Sequence, residues 1–242
     1  MPPILVTGAP GNVGTPLVER LLAAGVPVRV GAHNVASAAP FARGSADARA
    51  DAGHAGAEVV RFDMADPSTF GAFDGVRRMF LLRPPAIADV DGVIGPVIAA
   101  ARARGVEHIV FLSIQGADRN RLVPHRAIED ELRRHGPAWT FIRASYFMQN
   151  LATTHRADIV ERDEIFIPAG RRSRTAHVDA RDVAAAAASA LLEDGPRGPR
   201  LHADRVCGDD LRPVRRDPDR RPGPADPLRR PRAADVLAAD GQ

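Results

Sequence analysis

Apolar residues along the first 150 positions fall alternately into short continuous runs and into longer stretches with helical spacing. Short apolar runs are typical of buried strands, and apolar residues repeated every three or four positions are typical of amphipathic helices. The pattern predicts strands at 4–6, 26–30, 58–62, 76–82, 108–113 and 138–143, and helices at 12–24, 87–104 and 122–135. Strands that alternate with helices form a parallel sheet covered on both faces. An α/β protein with a doubly wound parallel sheet is therefore expected.

The alternation weakens after the sixth strand. The spacing there predicts a helix at 146–156, extended segments at 164–168 and 175–178 around a turn at Gly170, and an alanine-rich helix at 181–192. Residues 202–242 are rich in Arg, Asp and Pro and contain no Phe, Tyr, Trp, Ile or Met. Such a segment buries too little apolar surface to offset chain entropy, so we expect it to be disordered. The expected organisation is a core at 1–150, a small lobe at 151–201 packed on it, and an atypical tail at 202–242.

The basic residues are all of one kind. All 33 are Arg, and the sequence contains no Lys. This excludes any mechanism that needs a lysine amine, such as a Schiff base, a P-loop lysine or a Tyr–Lys proton relay. The net charge is only +3, and nucleic-acid binding is not expected without a clustered basic face.

Cysteine and histidine usage narrows the classes further. A single Cys207 excludes an internal disulfide, and the eight His show none of the close pairings that a metal site needs. No apolar run reaches the ~18–20 residues of a membrane span, and the first residues lack the basic region of a signal peptide. We therefore expect a cytoplasmic protein without a metal and without a membrane segment.

The turn after the first strand carries the strongest motif. Its glycines, Gly8, Gly11 and Gly14, are spaced G-x-x-G-x-x-G between a strand and a helix. Glycines at these positions permit a tight turn, close approach of the backbone to a pyrophosphate, and close packing of helix on strand. The helix N-terminus adds unpaired N–H groups and a positive dipole end. The predicted phosphate-binding residues are Gly8, Pro10, Gly11, Asn12, Val13 and Gly14.

Two later positions bear on which dinucleotide would bind. Asp63 and Met64 end the third strand, where a carboxylate can accept a bond from an adenine amine; a turn-forming Asp is an equal alternative. The second strand ends in His33 and Asn34, without the acid that accepts the ribose hydroxyls of NAD or the arginine that favours the phosphate of NADP. Because His33 is a partial cation and Arg43 lies further along, NADP is expected over NAD.

Several motifs in this order resemble the NmrA-like branch of the atypical short-chain dehydrogenase/reductases. They are the glycine turn and the segments at 81–85, 111–116, 124–129, 147–151, 162–170 and 177–183, so that the resemblance covers about residues 3–200. The resemblance implies a Rossmann core with a small C-terminal substrate lobe. It also implies a nicotinamide cofactor, since the branch includes NAD(P)H:quinone reductases, other reductases and non-catalytic sensors of the nicotinamide redox state. This sequence departs from the branch at Pro10 and His33, where Thr and Arg are common.

The end of the chain departs from the branch as well. Its members continue past the position of Leu201 with a further strand and helices, so the lobe here is expected to be incomplete. An out-of-frame end of a GC-rich gene would give the composition of the last 41 residues.

The residues after strands four to six are the candidates for chemistry, because doubly wound sheets bind ligands at the carboxyl ends of their strands. Leu82, Arg83 and Pro84 are expected to border the nicotinamide. Ser113 is a candidate to form a hydrogen bond with the substrate or the carboxamide, and His125 is a candidate to donate to a quinone oxygen. Tyr146 is expected to shape the pocket. An ordinary pKa near neutrality would suit His125 to donate a proton or a hydrogen bond. The alternatives are a turn-capping Ser113, a solvent-facing His125 at the start of a helix, and a Tyr146 that only packs.

The short-chain dehydrogenases use Tyr-x-x-x-Lys, but here Asn150 stands four residues after Tyr146. Quinones accept hydride readily and need less help from a protein acid. We therefore expect an NAD(P)H-dependent oxidoreductase that transfers hydride to a quinone or similar small electrophile without a Tyr–Lys relay. A non-catalytic redox sensor acting through a protein partner, a defective product of a shifted gene, and a homo-oligomeric assembly stay open.

Overall fold

The computed structural model describes residues 1–42, 56–165 and 176–193. The predicted tail at 202–242, most of the turn around Gly170 and the candidate Arg43 lie outside these residues.

Six parallel strands form one sheet in the order β3-β2-β1-β4-β5-β6. The strands are β1 (Ile4–Thr7), β2 (Val28–Ala32), β3 (Glu58–Arg61), β4 (Arg78–Leu81), β5 (His108–Ile114) and β6 (Ala138–Ala144). In register, Val6 of β1 lies opposite Val30 of β2 on one side and Phe80 of β4 on the other. The doubly wound sheet and all six of its strands are confirmed. The order reverses between β1 and β4, and this switch point opens a crevice at the carboxyl ends of the two strands.

Helices and short elements connect and cover the strands. They are α1 (Gly14–Ala23), α2 (Val35–Ala42), α3 (Gly95–Ala103), α4 (Pro124–His135), α5 (Arg156–Arg162) and α6 (Ala180–Leu192), the 3₁₀ helices Pro67–Phe73 and Met148–Leu151, a π-helical turn Val90–Ile94, and the short strands β7 (Tyr146–Phe147) and β8 (His177–Val178). The long helix expected at 87–104 is divided where the π turn meets α3 at Gly95, because Pro96 has no N–H to continue the bonding pattern. The sequence pattern did not predict α2, in which Ala38 alone is buried.

The described residues fall into two compact units. The first holds Met1–Ser145 together with the segment that begins at Val178, and the second holds Tyr146–His177. In the first unit α6 buries Ala180, Val183, Ala184 and Ala187, and α1 buries Leu17, Val18 and Leu21. The alanine-rich helix is confirmed, although it belongs to this unit and the sequence assigned it to residues 151–201. The domain limits stay predictions.

The second unit corrects one expectation. The helix expected at 146–156 is wrong: the chain forms β7, then a 3₁₀ helix, and α5 begins only at Arg156. The N–H of Tyr146 donates to the carbonyl of Ala176 at 3.2 Å, which holds Tyr146 in an extended pairing. A tertiary hydrogen bond therefore overrides the local helical spacing.

The core of the first unit is apolar and densely packed. Phe62, Phe70 and Phe73 form an aromatic cluster with ring centroids 5.4–6.1 Å apart. Each is almost fully buried, so the end of β3 and the 3₁₀ helix at Pro67–Phe73 are fixed against each other. Among the described helices, none is long and apolar enough to cross a membrane.

Candidate functional site

The turn between β1 and α1 restricts side chains at its three glycines, by backbone conformation at Gly8 and by close contacts at Gly11 and Gly14. Gly8 has φ +68°, a left-handed conformation that other residues rarely adopt. A Cβ on Gly14 would lie 2.1 Å from the Gly8 carbonyl oxygen, and one on Gly11 would lie 3.1 Å from the same atom. The hydroxyl of Thr15 donates to the carbonyl of Ala9 at 2.8 Å and closes the turn.

The turn leaves backbone donors unused. The N–H groups of Asn12, Val13 and Gly14 have no acceptor among the described residues, and no side chain caps α1. Pro10 and Asn12 are exposed beside them. Free N–H groups at a helix N-terminus form an anion site. The turn therefore fits the diphosphate of a dinucleotide.

A threonine joins the two strands that flank the switch point. The Thr7 hydroxyl donates to the carbonyl of Phe80 at 3.1 Å and accepts from the N–H of Leu82 at 2.9 Å. The side chain of Leu82 lies 3.1 Å from where a Cβ on Gly8 would stand. The predicted nicotinamide side, Leu82, Arg83 and Pro84, is thus held next to the glycine turn. The bridging role of Thr7 was not predicted from the sequence, where the only signal was a polar residue at the end of an apolar strand.

The segments that follow β2 and β3 meet through a contact between a histidine and a carboxylate. His33 Nδ1 lies 3.0 Å from Asp63 Oδ2, and the other Asp63 oxygen accepts from the N–H of Ala65 at 2.9 Å. Asn34 caps α2 by accepting from the N–H of Ala36 at 3.0 Å. The His33 side chain is 78% exposed, whereas Asp63 is 23% exposed, and Met64 is buried. Adenine recognition by Asp63 and Met64 and phosphate recognition by His33 and Asn34 stay predictions.

A buried carboxylate, Glu129, lies between α4 and the ends of β5 and β6. Its Oε1 accepts from Ser113 Oγ at 2.7 Å and Arg143 Nε at 2.9 Å, and its Oε2 accepts from Arg143 Nη2 at 2.6 Å and Arg133 Nη2 at 2.8 Å. We call these four residues the Glu129 cluster. Burial alone would raise the pKa of Glu129, but the bonds from Arg143 and Ser113 and the charges of Arg143 and Arg133 hold that pKa below its ordinary value.

The Glu129 cluster was missed by the sequence analysis, although two signals were present. Glu129 stands between the buried Ile128 and Leu132 on the apolar face of α4, and Arg143 interrupts the apolar run of β6. An acid and a base each facing a core predict a buried pair. Ser113 is buried, and its proton is donated to Glu129, so that only its lone pairs are left for a ligand. Ser113 could therefore only accept a hydrogen bond from a substrate or a carboxamide.

Arg83 and His125 both hold a nitrogen without a partner. Arg83 Nε and His125 Nδ1 are buried and make no hydrogen bond to each other or to any other described residue. Burial and the charge of Arg83 lower the pKa of His125 to about 4, although the opposite charge of Glu129 acts to raise it. The ring is therefore neutral at pH 7, and the expected ordinary pKa is replaced by a depressed one because the ring is desolvated beside a cation. His125 is suited to a hydrogen bond and poorly suited to act as an acid.

Tyr146 lies in the second unit, where it is surrounded by histidines. Its hydroxyl forms a hydrogen bond with His155 Nε2, and its ring lies edge-on to the ring of His177 with centroids 5.6 Å apart. A catalytic role for Tyr146 stays a prediction. Over the described ranges, no group of three or more His, Cys, Asp or Glu side chains is placed to hold a metal ion.

A glycine turn at the switch point of a sheet with this strand order defines the class of Rossmann-fold proteins. Within that class the chain belongs to the NmrA-like family, whose model matches residues 2–203.

Three relatives show what the chain is similar to. The "Uncharacterized oxidoreductase YesF" of Bacillus subtilis is 30% identical over 80% of this chain, and the NAD(P)H azoreductase of Xenophilus azovorans is 31% identical over 79% of it. The crystal structure of the NADPH-dependent quinone oxidoreductase QOR2 of Escherichia coli complexed with NADPH has a TM-score of 0.66 and 27% identity over 79% of this chain. The matched part spans 62%, 64% and 65% of the length of these proteins, which is less than two thirds in each case.

Proposed function

We propose that this protein is an NADPH-dependent reductase that transfers hydride to a small conjugated electrophile such as a quinone. The observation that carries the proposal is the β1–α1 turn, where three closely packed glycines lie beside three unused backbone donors at the switch point. The oxidoreductase names of the relatives and the NADPH in the QOR2 complex support the same reading.

The residues present fit a dinucleotide along the whole crevice. The N–H groups at Asn12–Gly14 would hold the diphosphate, and Leu82, Arg83 and Pro84 would border the nicotinamide, which supplies the hydride when the cofactor is bound. We propose NADPH over NADH because β2 ends without an acid: Ala32 is followed by His33 and Asn34. An acid there would bind the free ribose hydroxyls and repel a 2′-phosphate, whereas the exposed His33 does neither.

The class of hydride acceptor is inferred from the proton donors that the chain lacks. Without lysine there is no Tyr–Lys relay, and His125 is neutral at pH 7. A saturated ketone needs a proton at its oxygen as hydride arrives, whereas a quinone spreads the charge over its ring and takes its proton from water afterwards. The chain then has to orient the acceptor and keep the site dry.

The test is a titration followed by turnover. Calorimetry with NADPH and NADH should show tighter binding of NADPH, and the protein should consume NADPH absorbance with at least one member of a quinone panel. Heat-denatured protein is the control for spontaneous reduction. Tight binding with no turnover on any acceptor would contradict the reductase and favour the non-catalytic sensor, which requires unequal affinities for oxidised and reduced cofactor.

A further inference from the structure

We propose that Arg83 and His125 form an oxyanion site, a pair of nitrogens that bind the acceptor oxygen that becomes negative when hydride is added. The ligand class is a conjugated carbonyl compound or its anionic product. The chemistry rests on the proposed function, but the site itself can be tested without turnover.

The Arg83 guanidinium is held in place through its Nη1, whereas its Nε has no hydrogen-bond partner among the residues that the structure describes. Its Nη1 donates to the carbonyls of Pro84, Pro85 and Ile87 at 3.0, 3.1 and 2.5 Å. These bonds hold the guanidinium to its own loop after β4, so the Nε–H points in a fixed direction. Arg83 has no carboxylate partner within the described part of the chain. A partly buried cation with no countercharge is an anion site.

His125 supplies the second nitrogen. Its ring stacks on Phe111 in the middle of β5, with centroids 6.1 Å apart and 29° between the planes. Phe111 lies opposite Leu81, the last residue of β4, so the ring is fixed level with the end of that strand. The charged groups that act on it are Arg83 and Glu129. Since Glu129 is committed to Arg143, Arg133 and Ser113, it is not available to neutralise Arg83. The neutral imidazole carries one N–H, which can donate a hydrogen bond without releasing a proton.

Unsatisfied buried nitrogens are uncommon, and two together call for an explanation. Donors fixed in advance at the position where charge develops stabilise a transition state more than the ground state. As hydride forms a new C–H bond on the acceptor, the π electrons move onto the carbonyl oxygen. That oxygen would accept from Arg83 Nε and His125, and the resulting anion takes its proton from water. The acceptor is reduced by two electrons and the cofactor is oxidised by two.

The experiment uses a nitrophenol, whose phenolate form absorbs at a longer wavelength than its phenol form. The full chain, with and without NADP⁺, is titrated with the probe across pH. Because hydrogen bonds to a charged group are the strong ones, wild type should bind phenolate about 10- to 100-fold more tightly than phenol. Arg83→Met should abolish this preference, and Arg83→Lys, which keeps the charge but loses the Nε–H, should weaken it about tenfold. Arg20→Met, an exposed arginine on α1, should leave it unchanged.

The possible results separate the two proposals. No phenolate preference in wild type, or equal preference in wild type and both Arg83 variants, overturns the oxyanion site. If wild type prefers phenolate and Arg83→Lys weakens the preference about tenfold, the site stands even when no acceptor is reduced, and the proposed function alone has failed. Arg83→Lys keeps the test decisive where Arg83→Met does not fold.

Discussion

Two groups of polar side chains lie at the carboxyl edge of the same sheet, and they differ in how completely their hydrogen-bonding capacity is used. In the Glu129 cluster the carboxylate accepts four bonds of 2.6–2.9 Å, two of them from the side-on guanidinium of Arg143. In the Arg83–His125 pair each residue keeps a buried nitrogen with no partner. Glu129 and His125 are only one turn apart on α4. The same helix thus carries one side chain whose hydrogen bonds are complete and one with a nitrogen that has no partner among the described residues.

The difference indicates that the first group stabilises the fold and the second is available to a ligand. A carboxylate whose bonding is complete has nothing left to offer a ligand, so the Glu129 cluster joins α4 to β5 and β6 and holds the helix in place. The Arg83–His125 pair gives up hydrogen bonds that the fold could have used, which is expected of a ligand site. Substitutions in the first group should therefore lower stability, and substitutions in the second should lower activity.

The largest expected effect is on stability. Glu129→Gln removes the charge but not the volume and leaves the buried Arg143 with only the longer contact to Asp118, at 3.4 Å, as a countercharge. The free energy of unfolding should therefore fall by about 3–5 kcal/mol. Urea unfolding followed by circular dichroism measures the loss. The matched control is Glu107→Gln, which breaks the exposed ion pair with Arg77 and should cost no more than about 1 kcal/mol. Equal losses in the two variants would show that the buried cluster is not an anchor.

The next effect is on catalysis. Arg83→Met should lower kcat with a quinone about 100-fold, as expected for loss of an oxyanion donor, while the KM for NADPH changes little. Steady-state kinetics gives both constants. The free energy of unfolding should fall by no more than about 2 kcal/mol, because the lost bonds from Arg83 to the loop carbonyls are partly exposed. A large fall in stability with unchanged kcat would move Arg83 into the structural group.

A smaller effect is expected at Ser113, the hydroxyl donor of the Glu129 cluster. Ser113→Ala removes one of the four bonds to Glu129, and unfolding should become easier by about 1 kcal/mol. Because the serine proton is already donated within the protein, kcat should change less than tenfold. Ser113→Thr, which keeps the hydroxyl, is the companion variant. A 100-fold loss of kcat in Ser113→Ala alone would restore Ser113 as a direct participant in the reaction.

The smallest expected effect is on how stability depends on pH. The effect is small because the His125 ring is only partly buried, so that solvent screens its charge. Its pKa is about 4 in the folded protein and near 6.5 when unfolded, so the unfolded chain binds the proton first. Stability is therefore unaffected by His125 above pH 6.5 and falls as the pH drops from 6.5 towards 4. The depressed pKa of Glu129 adds its own loss only below its ordinary range, as that carboxylate is protonated.

When the urea midpoint is plotted against pH across this range, it should fall less steeply for His125→Gln than for wild type. His135→Gln, an exposed position at the other end of α4, should keep the wild-type slope. If His125→Gln retains it as well, the ring is not desolvated as the structure has it.

Much of the first unit was predictable because its signals are local. The six strands each lie within two residues of their expected limits, since an apolar run of that length has few other ways to bury itself. The glycine turn was predictable for a similar reason: only glycine fits at positions 8 and 14. The helix expected at 146–156 was wrong because its fate depends on a hydrogen bond to Ala176, 30 residues further along, which no local spacing reveals.

The candidate site divides in the same way. The sequence by itself determined the Rossmann sheet and the glycine turn between β1 and α1, because each depends on residue type and close spacing along the chain. Only the tertiary structure decided that Glu129 meets Arg143 and Ser113, and that Arg83 and His125 are left with unpaired nitrogens. The reason is physical: burial and charge set the pKa and the bonding of a side chain, and both are properties of neighbours that are brought together only by folding.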